Sequence, residues 1–474
     1  MVGGLNSGLH FSIKGSEPHP LGKIHNPGLL AGYAGMLLLA VQCTAALAGA
    51  NSPSKSASET ILFEAPVLVE EGSSSRPEHA WFPEGGAVIG SLAGPQAVLV
   101  AVRHNLDGGP KLPAPGHTYE AKLSWDGGQT YSHYDYESDR DLTPTHLDAD
   151  GTLRRFRPGG AERGTNKTSF RAASQVWTAH PNRTLTQCQD PAVVPSVLYS
   201  GFPFEVEALT YGSAVVSVGS GTSAALVQTV AYTTTMPLQY QELAAFRSTD
   251  GGKTFQFQQV VGSHNQTRPS AATVWQGPGE NDLVVLQDGS LLSVFRVQSC
   301  HPYRSSRSQD GRSWTAPTLL APNVLGSVRP KLLRLPSGQL LLSGGRPGLS
   351  MWISTDAAAD TWTRINIAAV HNRLVSDPSW KYQPGFVNDS DVCSATTKST
   401  SGCSCQHPTG PSPTTAYTSL LQVGPRQFLL QYDRLANGWK MPPGREFSCP
   451  CVPAFCLPRT EELLSATSSW VFAC

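Results

Sequence analysis

One arginine stands in a sequence context that points to chemistry rather than packing. Arg346 follows two glycines and precedes a proline at the end of a predicted strand, a setting that core packing explains poorly. A planar guanidinium donates two parallel hydrogen bonds to a carboxylate, so such a residue suits the binding of an acidic group. The sequence has no phosphate-binding loop, no Gly-x-Ser-x-Gly and no His-Glu-x-x-His motif, which disfavours the chemistries that depend on them.

The cysteines do not form a recognisable metal-binding motif. The two Cys-x-Cys pairs, which begin at Cys403 and Cys449, have the wrong spacing for a usual zinc site. Six of the ten cysteines fall between Cys393 and Cys456. In an oxidising compartment this grouping predicts a local set of disulfides whose pairing the sequence leaves open. We therefore predict neither a metal nor an organic cofactor.

The charge balance and the composition exclude several classes of protein. Of the 474 residues, 35 are Lys or Arg and 35 are Asp or Glu, so the formal net charge is zero. A nucleic-acid binder needs a clustered basic face, and no nucleic acid is expected as a partner. The 45 glycines and 37 prolines exclude a helical bundle, while 39% hydrophobic residues exclude general disorder. A turn-rich, all-β globular chain remains.

Four segments of the chain share one turn motif. Its common form is Ser-x-Asp-Gly-x-(x)-Thr/Ser-aromatic, with the aspartates at Asp126, Asp250, Asp310 and Asp356, and the last copy runs on to Trp362. In a hairpin turn of this kind the carboxylate caps backbone N–H groups, the glycine takes a positive φ and the aromatic ring covers the corner. Four such turns between short alternating strands indicate a repeated antiparallel unit.

A second recurring element precedes these turns. Residues 284–294 and 332–342 each have the pattern of a strand, a two-residue turn ending in glycine and a second strand; residues 420–430 are a weaker version. A repeated unit of four short strands is one blade of a β-propeller. Residues from about 58 to 446 therefore predict an all-β, six-bladed β-propeller, and almost no helical periodicity is present outside an apolar run near the start of the chain.

The turns and strand pairs together resemble the sialidase (neuraminidase) superfamily, whose β-propellers carry such turns as Asp boxes. The resemblance covers roughly residues 60 to 440 and marks the chain as a divergent member of that family. Asp boxes also occur in propellers without enzyme activity. The choice between an enzyme and a binding protein therefore depends on the other residues that match.

Two segments resemble those that carry a glutamate and two arginines in this family. The strand pair that spans residues 279–296 implies Glu280 as a base and Arg296 as a carboxylate-binding arginine. The next strand pair implies Arg346, rather than Arg329, as a further carboxylate-binding arginine. Three converging guanidiniums are the expected device for holding the carboxylate of an acidic sugar.

The nucleophile and the acid are implied by the same resemblance. Tyr417 matches the nucleophile, and sialidases are exceptions to the scheme in which two carboxylates cleave a glycosidic bond. Asp107, in the first blade, matches the aspartate that serves as general acid and base. The family's first arginine is missing from residues 81–84, where it is expected, and Arg76 or Arg103 would have to replace it.

An apolar run near the start of the chain predicts a leader helix. Residues 28–48 suit either a cleaved signal peptide or a single membrane-spanning anchor, and four Asn-x-Ser/Thr sequons follow them. We therefore expect the secretory pathway: a secreted protein, a lysosome-like or vacuolar one, or one anchored facing the lumen or outside. The predicted division is a signal or anchor at 1–50, a propeller at 51–447 and a cysteine-containing tail at 448–474.

These patterns predict an exo-α-sialidase-like retaining glycoside hydrolase. Its substrates would be sialylated or other acidic glycans on glycoproteins or glycolipids. Two alternatives stay open: a non-catalytic propeller that binds glycans or proteins, and a glycosidase for a different sugar, which the altered first arginine suggests. The enzyme prediction requires Tyr417, Glu280, Arg296 and Arg346 to converge in space.

Overall fold

The computed structural model of the chain is almost entirely β-structure. It describes residues 8–12, 34–44, 60–72, 81–90, 96–104, 119–134, 145–188, 194–220, 224–235, 240–268, 277–297, 302–321, 324, 328–345, 348–382, 384, 417–424 and 427–433.

The strands and helices follow one another in this order along the chain. The first half contains β1 (Gly8–Ser12), β2 (Ala34–Thr44), β3 (Thr60–Phe63), β4 (Val67–Gly72), β5 (Trp81–Ile89), β6 (Ala97–His104), β7 (Tyr119–Ser124), β8 (Ser132–Tyr134), β9 (Thr145–Leu147), β10 (Leu153–Phe156), β11 (Glu162–Arg163), β12 (Phe170–Ala172), β13 (Ser174–Ala179), β14 (Leu185–Cys188), β15 (Val197–Ser200), β16 (Val206–Gly212) and β17 (Val216–Val218). The second half contains β18 (Ala225–Thr234), β19 (Gln241–Ser248), β20 (Thr254–Gly262), α1 (His264–Thr267), β21 (Asn281–Val285), β22 (Leu291–Phe295), β23 (Arg304–Ser308), β24 (Thr318–Leu319), β25 (Lys331–Arg334), β26 (Leu340–Gly345), β27 (Leu349–Ser354), β28 (Trp362–Asn366), α2 (Ile367–Leu374), a 3-10 turn (Pro378–Trp380), β29 (Thr418–Gly424) and β30 (Gln427–Tyr432).

Four of the sheets have the form of a propeller blade, with four strands paired antiparallel. Their strand orders are β5-β6-β7-β8, β14-β13-β10-β9, β21-β22-β23-β24 and β25-β26-β27-β28. The all-β, propeller-like arrangement agrees with the strand and turn patterns. The predicted count of six blades is not shown, since four sheets within the described ranges have this form.

The other two sheets are larger because strands from elsewhere join them. One has eight strands, since β15 pairs parallel with β20 and brings β12 and β11 with it. The other has six strands and combines β29 and β30 with β1, β4, β2 and β3 from the start of the chain. A pattern of strands and turns does not reveal which sheet edge a distant strand will join, so the sequence could not predict either extension.

The predicted leader helix is wrong for the part of it that the structure describes. Residues 34–44 form strand β2, which pairs antiparallel with β30 and with β3, placing Leu38 opposite Gln431. A continuous apolar run fits a strand as well as a helix, and periodicity cannot distinguish the two. Among the described residues, no helix combines the length and the apolar character needed to cross a membrane. The role of this segment as a leader stays a prediction.

Side-chain caps hold the four aspartate turns. In the second turn, Asp250 Oδ1 accepts the N–H of Thr254 at 2.9 Å and the hydroxyl of Ser248 at 2.7 Å. Ser248 in turn accepts the N–H of Gly252, whose φ of 85° is in the left-handed region that favours glycine. Backbone N–H groups also donate to the carboxylates of the other three turn aspartates, which are Asp126, Asp310 and Asp356.

Apolar clusters between neighbouring sheets set the sheets side by side. One buried cluster joins the β21–β24 sheet to the β25–β28 sheet and includes Val294, Leu342 and Trp352. Another joins the β25–β28 sheet to β29 and β30 and includes Met351 and Leu430. As a result, the strands at one edge of these three sheets, β21, β25 and β29, are in contact in that order.

Candidate active site

Three polar residues lie one or two positions before the edge strands β21, β25 and β29 of three adjacent sheets. Glu280 precedes β21, Arg329 lies two residues before β25, and Tyr417 precedes β29. Because β21 contacts β25 and β25 contacts β29, the starts of the three strands lie close together. All three residues are buried, with exposed fractions of 4%, 5% and 6%.

The hairpin of β21 and β22 brings Arg296 to Glu280. Its antiparallel register pairs Asn281 with Phe295, and one step further the N–H of Arg296 donates to the carbonyl of Glu280 at 2.9 Å. The two side chains therefore leave the same end of the hairpin. Nη1 of Arg296 donates to Oε2 of Glu280 at 2.7 Å, an ion pair in which Arg296 is the more accessible partner.

Tyr417 reaches the same carboxylate from the neighbouring sheet. Its hydroxyl donates to Oε1 of Glu280 at 2.6 Å. The pairing of Thr418 with Tyr432 places Asp433 across the hairpin from Tyr417, and the backbone N–H of Tyr417 donates to Oδ2 of Asp433 at 3.0 Å. Asp433 is 1% exposed, so a buried carboxylate fixes the backbone of Tyr417.

A second acidic side chain holds β21 between its neighbours. The carboxylate of Asp282 accepts the N–H of Ala214 at 3.1 Å on one side and the N–H of Leu332 at 2.9 Å on the other. Leu332 belongs to β25, so this carboxylate links the strand after Glu280 to the strand after Arg329. Asp282 therefore helps to set the spacing between Glu280 and Arg329.

The structure places Arg329 at the site, although the sequence favours Arg346. The Cζ atom of Arg329 lies 5.0 Å from the centroid of the Tyr417 ring and 5.9 Å from that of Tyr211. The sequence signal was weak, because a Val-Arg-Pro segment before a strand is typical of an ordinary loop. The one usable signal was Pro330, since a proline restricts the preceding residue to extended conformations.

The structure brings together three of the six predicted site residues, namely Tyr417, Glu280 and Arg296. The other three, Asp107, Arg346 and Arg76, lie outside the described residues, and their roles stay predictions. The predicted cysteine cluster also lies outside them; within the described ranges Cys188 is a free thiol. No group of His, Cys, Asp and Glu in the part of the chain that is described could hold a metal ion.

The charges around Glu280 keep it ionised. Burial by itself would raise the pKa of this carboxyl, but the positive charges of Arg296 and Arg329 oppose that effect. The hydrogen bonds from Tyr417 and Arg296 act in the same direction, and together they lower the pKa of Glu280 to about 2. Glu280 is therefore a carboxylate at any ordinary pH and can accept a proton from Tyr417.

This arrangement has the parts of an activated nucleophile. A hydroxyl that donates to an adjacent ionised carboxylate has a base in place, and nearby guanidiniums can bind an acidic group of a substrate. Arg296, with a side chain 16% exposed, is the guanidinium that is more open to a ligand.

Comparisons with known proteins give no family for this chain. No family model matches it, and no curated protein matches it. Among solved structures it is similar to a protein of unknown function from Dyadobacter fermentans, at 15% identity and a TM-score of 0.43, over 75% of this chain and 95% of that one. It is also similar to a Hadza microbial sialidase, at 11% identity and a TM-score of 0.41, over 79% of this chain and 72% of that one.

A third similar structure has a different activity. It is the alpha-L-arabinanase of Penicillium chrysogenum, at 15% identity and a TM-score of 0.38, over 61% of this chain and 81% of that one. With TM-scores below 0.5, these similarities assign no activity to the chain. Its function is therefore inferred from the contacts of Tyr417, Glu280, Arg296 and Arg329.

Proposed function

We propose that the protein is an exo-acting, retaining glycoside hydrolase that removes terminal sialic acid or a related acidic sugar from glycoconjugates. The observation that supports this most is the hydrogen bond of 2.6 Å from Tyr417 to the ionised carboxylate of Glu280. A hydroxyl with its base already in contact is the usual arrangement of a catalytic nucleophile.

The choice of an acidic sugar follows from the nucleophile and its surroundings. A carboxylate nucleophile would be repelled by a substrate that carries a carboxylate beside the reacting carbon, whereas a neutral tyrosine is not. Tyrosine nucleophiles are the known exception among glycosidases and occur in sialidases. Arg296 supplies a guanidinium that can share its hydrogen bonds between Glu280 and the substrate carboxylate.

In the proposed first step, the oxygen of Tyr417 attacks the anomeric carbon and the glycosidic bond breaks. The phenol proton passes to Glu280, and Asp107 protonates the departing oxygen. A carboxylate with a pKa of about 2 is a weak base, so it takes the proton only as the new bond forms. Attack and proton transfer are therefore concerted.

In the second step, water replaces Tyr417 on the sugar. Asp107, now ionised, takes a proton from the water, and the oxygen of that water attacks the anomeric carbon. The bond to Tyr417 breaks, and Glu280 returns the proton to the phenol. Two successive inversions leave the configuration of the sugar unchanged, so the enzyme is of the retaining class.

The six-bladed architecture is part of the same proposal. The two larger sheets would be blades with added strands, one built on β18–β20 and the other on β29 and β30. Contacts of β18 with β21, β21 with β25, β25 with β29 and β29 with β5 support a ring of neighbouring first strands. Tyr417, Glu280 and Arg329 would then face the axis of that ring.

We also propose sialylated glycoproteins or glycolipids of the secretory pathway as the substrates. Support comes from the sequons at Asn166, Asn182 and Asn265, whose asparagines are exposed and accessible to glycosylation. Mass spectrometry of the full chain from a eukaryotic secretory host, before and after enzymatic removal of N-glycans, tests whether the protein belongs to the secretory pathway. A secreted chain with all three asparagines unmodified would contradict it.

Hydrolysis of a fluorogenic α-sialoside by the full chain tests the activity. The wild type should release the fluorophore, and Tyr417→Phe should not. Tyr199→Phe is the matched control, since it removes a buried tyrosine hydroxyl that donates to Gln228 at 2.7 Å in another sheet. A folded wild type that cleaves neither this substrate nor other acidic glycosides would contradict the proposed function.

A further inference from the structure

A buried cation, Arg329, lies over the ring of Tyr417, the nucleophile proposed above. Arg329 lies over two aromatic rings, with its Cζ atom 5.0 Å from the centroid of Tyr417 and 5.9 Å from that of Tyr211. Both distances are within the range of about 6 Å over which a guanidinium is attracted to an aromatic face. Nothing in the proposed two-step reaction uses this contact.

The position of Arg329 is set by the chain around it. Pro330 follows and disfavours a helical conformation for Arg329, so the backbone leads in an extended form into β25. Lys331, the first residue of β25, pairs with Ser343 in the β25–β26 hairpin. Arg329 is 5% exposed, and its guanidinium is therefore held in the interior, against the neighbouring sheet that carries Tyr417.

We propose that Arg329 activates Tyr417, because its guanidinium stabilises the negative charge that develops on the phenol as the proton moves to Glu280. The inference rests on the proposed function, in which Tyr417 is the nucleophile. It assigns to Arg329 a role distinct from that of Arg296, whose guanidinium contacts Glu280 and is more open to a substrate.

The charges of the group match this role. Glu280 carries a negative charge, and Arg296 and Arg329 each carry a positive charge that acts on it. Arg296 is neutralised by its ion pair of 2.7 Å with Glu280. The positive charge of Arg329 lies against the ring on which negative charge appears in the transition state. A cation and an aromatic ring attract each other more strongly when both are removed from water, as they are here.

Burial distinguishes this role from simple binding of the substrate carboxylate. Arg296 has a side chain 16% exposed, whereas Arg329 is 5% exposed and lies over the rings of Tyr417 and Tyr211. A residue that acts on the transition state changes kcat, and one that only binds the ground state changes KM. The two roles therefore predict different kinetics for the same substitution.

A titration that does not need activity tests the inference. In the Glu280→Gln background, which removes the neighbouring negative charge, the ultraviolet signal of the Tyr417 phenolate is isolated by subtracting the spectrum of the same protein with Tyr417→Phe. Adding Arg329→Met should move the appearance of this signal to higher pH by about one unit or more. Arg329→Lys should move it less, since it keeps the charge.

Kinetics of the single variants provide the second readout. Arg329→Met should lower kcat about tenfold or more with little change in KM, and Arg329→Lys should recover part of the loss. Arg155→Met is the matched control, because Arg155 is also buried and donates to Gln175 at 2.8 Å in a sheet without site residues. It should change neither kcat nor the phenolate signal.

The outcomes separate the inference from the proposed function. An unmoved phenolate signal in a folded Arg329→Met protein would overturn the inference, and so would a loss confined to KM, which would make Arg329 a substrate-binding residue. If the wild type hydrolyses no acidic glycoside, the proposed function fails. The titration would then still show whether Arg329 stabilises the Tyr417 phenolate.

Discussion

The phenolic oxygen of Tyr417 lies 2.6 Å from Oε1 of Glu280, although 137 positions separate the two residues in the sequence. The contact forms because each residue directly precedes the edge strand of its sheet, and the intervening sheet places the two strand starts within reach. A phenol and a buried carboxylate in direct contact, beside two guanidiniums, are the arrangement on which the proposed nucleophile rests.

Removing the base should abolish most of the activity. Glu280→Gln keeps the shape of the side chain and can still accept the hydrogen bond from Tyr417, but it cannot take the proton. We expect kcat to fall about 100- to 10,000-fold. Steady-state hydrolysis of an acidic glycoside by the folded variant measures the change.

A second tyrosine–glutamate pair supplies the control. Glu242 accepts the hydroxyl of Tyr232 at 2.6 Å in the eight-stranded sheet, so Glu242→Gln makes the same chemical change elsewhere. It should leave kcat close to that of the wild type. Equal losses in the two variants would show that Glu280 acts through stability and not as a base.

The pH dependence of kcat/KM should report the guanidiniums around Glu280. Because the pKa of Glu280 is lowered to about 2, the base stays ionised down to that pH, and its protonation should not reduce kcat/KM at pH 4 or above. Arg296→Met removes the charge that lowers the pKa of Glu280 the most. This pKa should therefore rise, and the acidic limb of the profile should move to higher pH. Unchanged limbs in the variant would contradict this assignment.

The buried carboxylate behind Tyr417 should matter through its acceptor and less through its charge. Asp433→Asn keeps an oxygen that can accept the N–H of Tyr417, so the variant should be nearly as active as the wild type. Asp433→Ala leaves this N–H without an acceptor and should lower the free energy of unfolding by about 1–3 kcal/mol. Urea denaturation and kcat of both variants check the prediction; equal effects of Asn and Ala would contradict it.

The turn aspartates should make stability fall in acid. Burial alone would raise the pKa of Asp250, but hydrogen bonds from Thr254 and Ser248 lower it below the ordinary value of 3.8. The folded state therefore favours the ionised form, and this stabilisation is present above about pH 4 and is lost as the pH falls through the folded pKa. Asp126, Asp310 and Asp356 are shifted in the same direction.

Asp250→Asn tests this contribution at a single turn. The amide oxygen can still cap the turn, but it does not titrate, so the variant should lose less stability than the wild type between pH 6 and pH 3. Urea denaturation at the two pH values measures the difference. A variant with the same acid sensitivity as the wild type would show that this carboxylate does not contribute.

The sequence was most informative where the structure is local. The strand–turn–strand pattern at residues 284–294 predicts the β21–β22 hairpin, and that hairpin fixes Glu280 beside Arg296 through its register. The four aspartate turns are equally predictable from the sequence, because their capping residues lie close together along the chain. Short-range hydrogen bonding and the alternation of side chains determine both features.

The rest depends on contacts between distant segments. Nothing near Arg329 indicates that its guanidinium will meet the ring of Tyr417, since that contact is set by how two sheets pack. Residues 34–44 form a strand and not the predicted helix because β30 is available to pair with them. The extra strands of the two larger sheets likewise depend on pairing between remote parts of the chain. The sequence patterns therefore did not reveal that these two sheets have more than four strands.

Trapping the nucleophile tests the central claim most directly. A sialyl fluoride with a second fluorine beside the anomeric carbon slows the hydrolysis of a covalent intermediate, so the full-length protein is incubated with it, digested and analysed by mass spectrometry. We predict a glycosyl adduct on the peptide that contains Tyr417, and none in Tyr417→Phe. An active enzyme that forms the adduct on another residue, or retains its activity in Tyr417→Phe, would contradict the account.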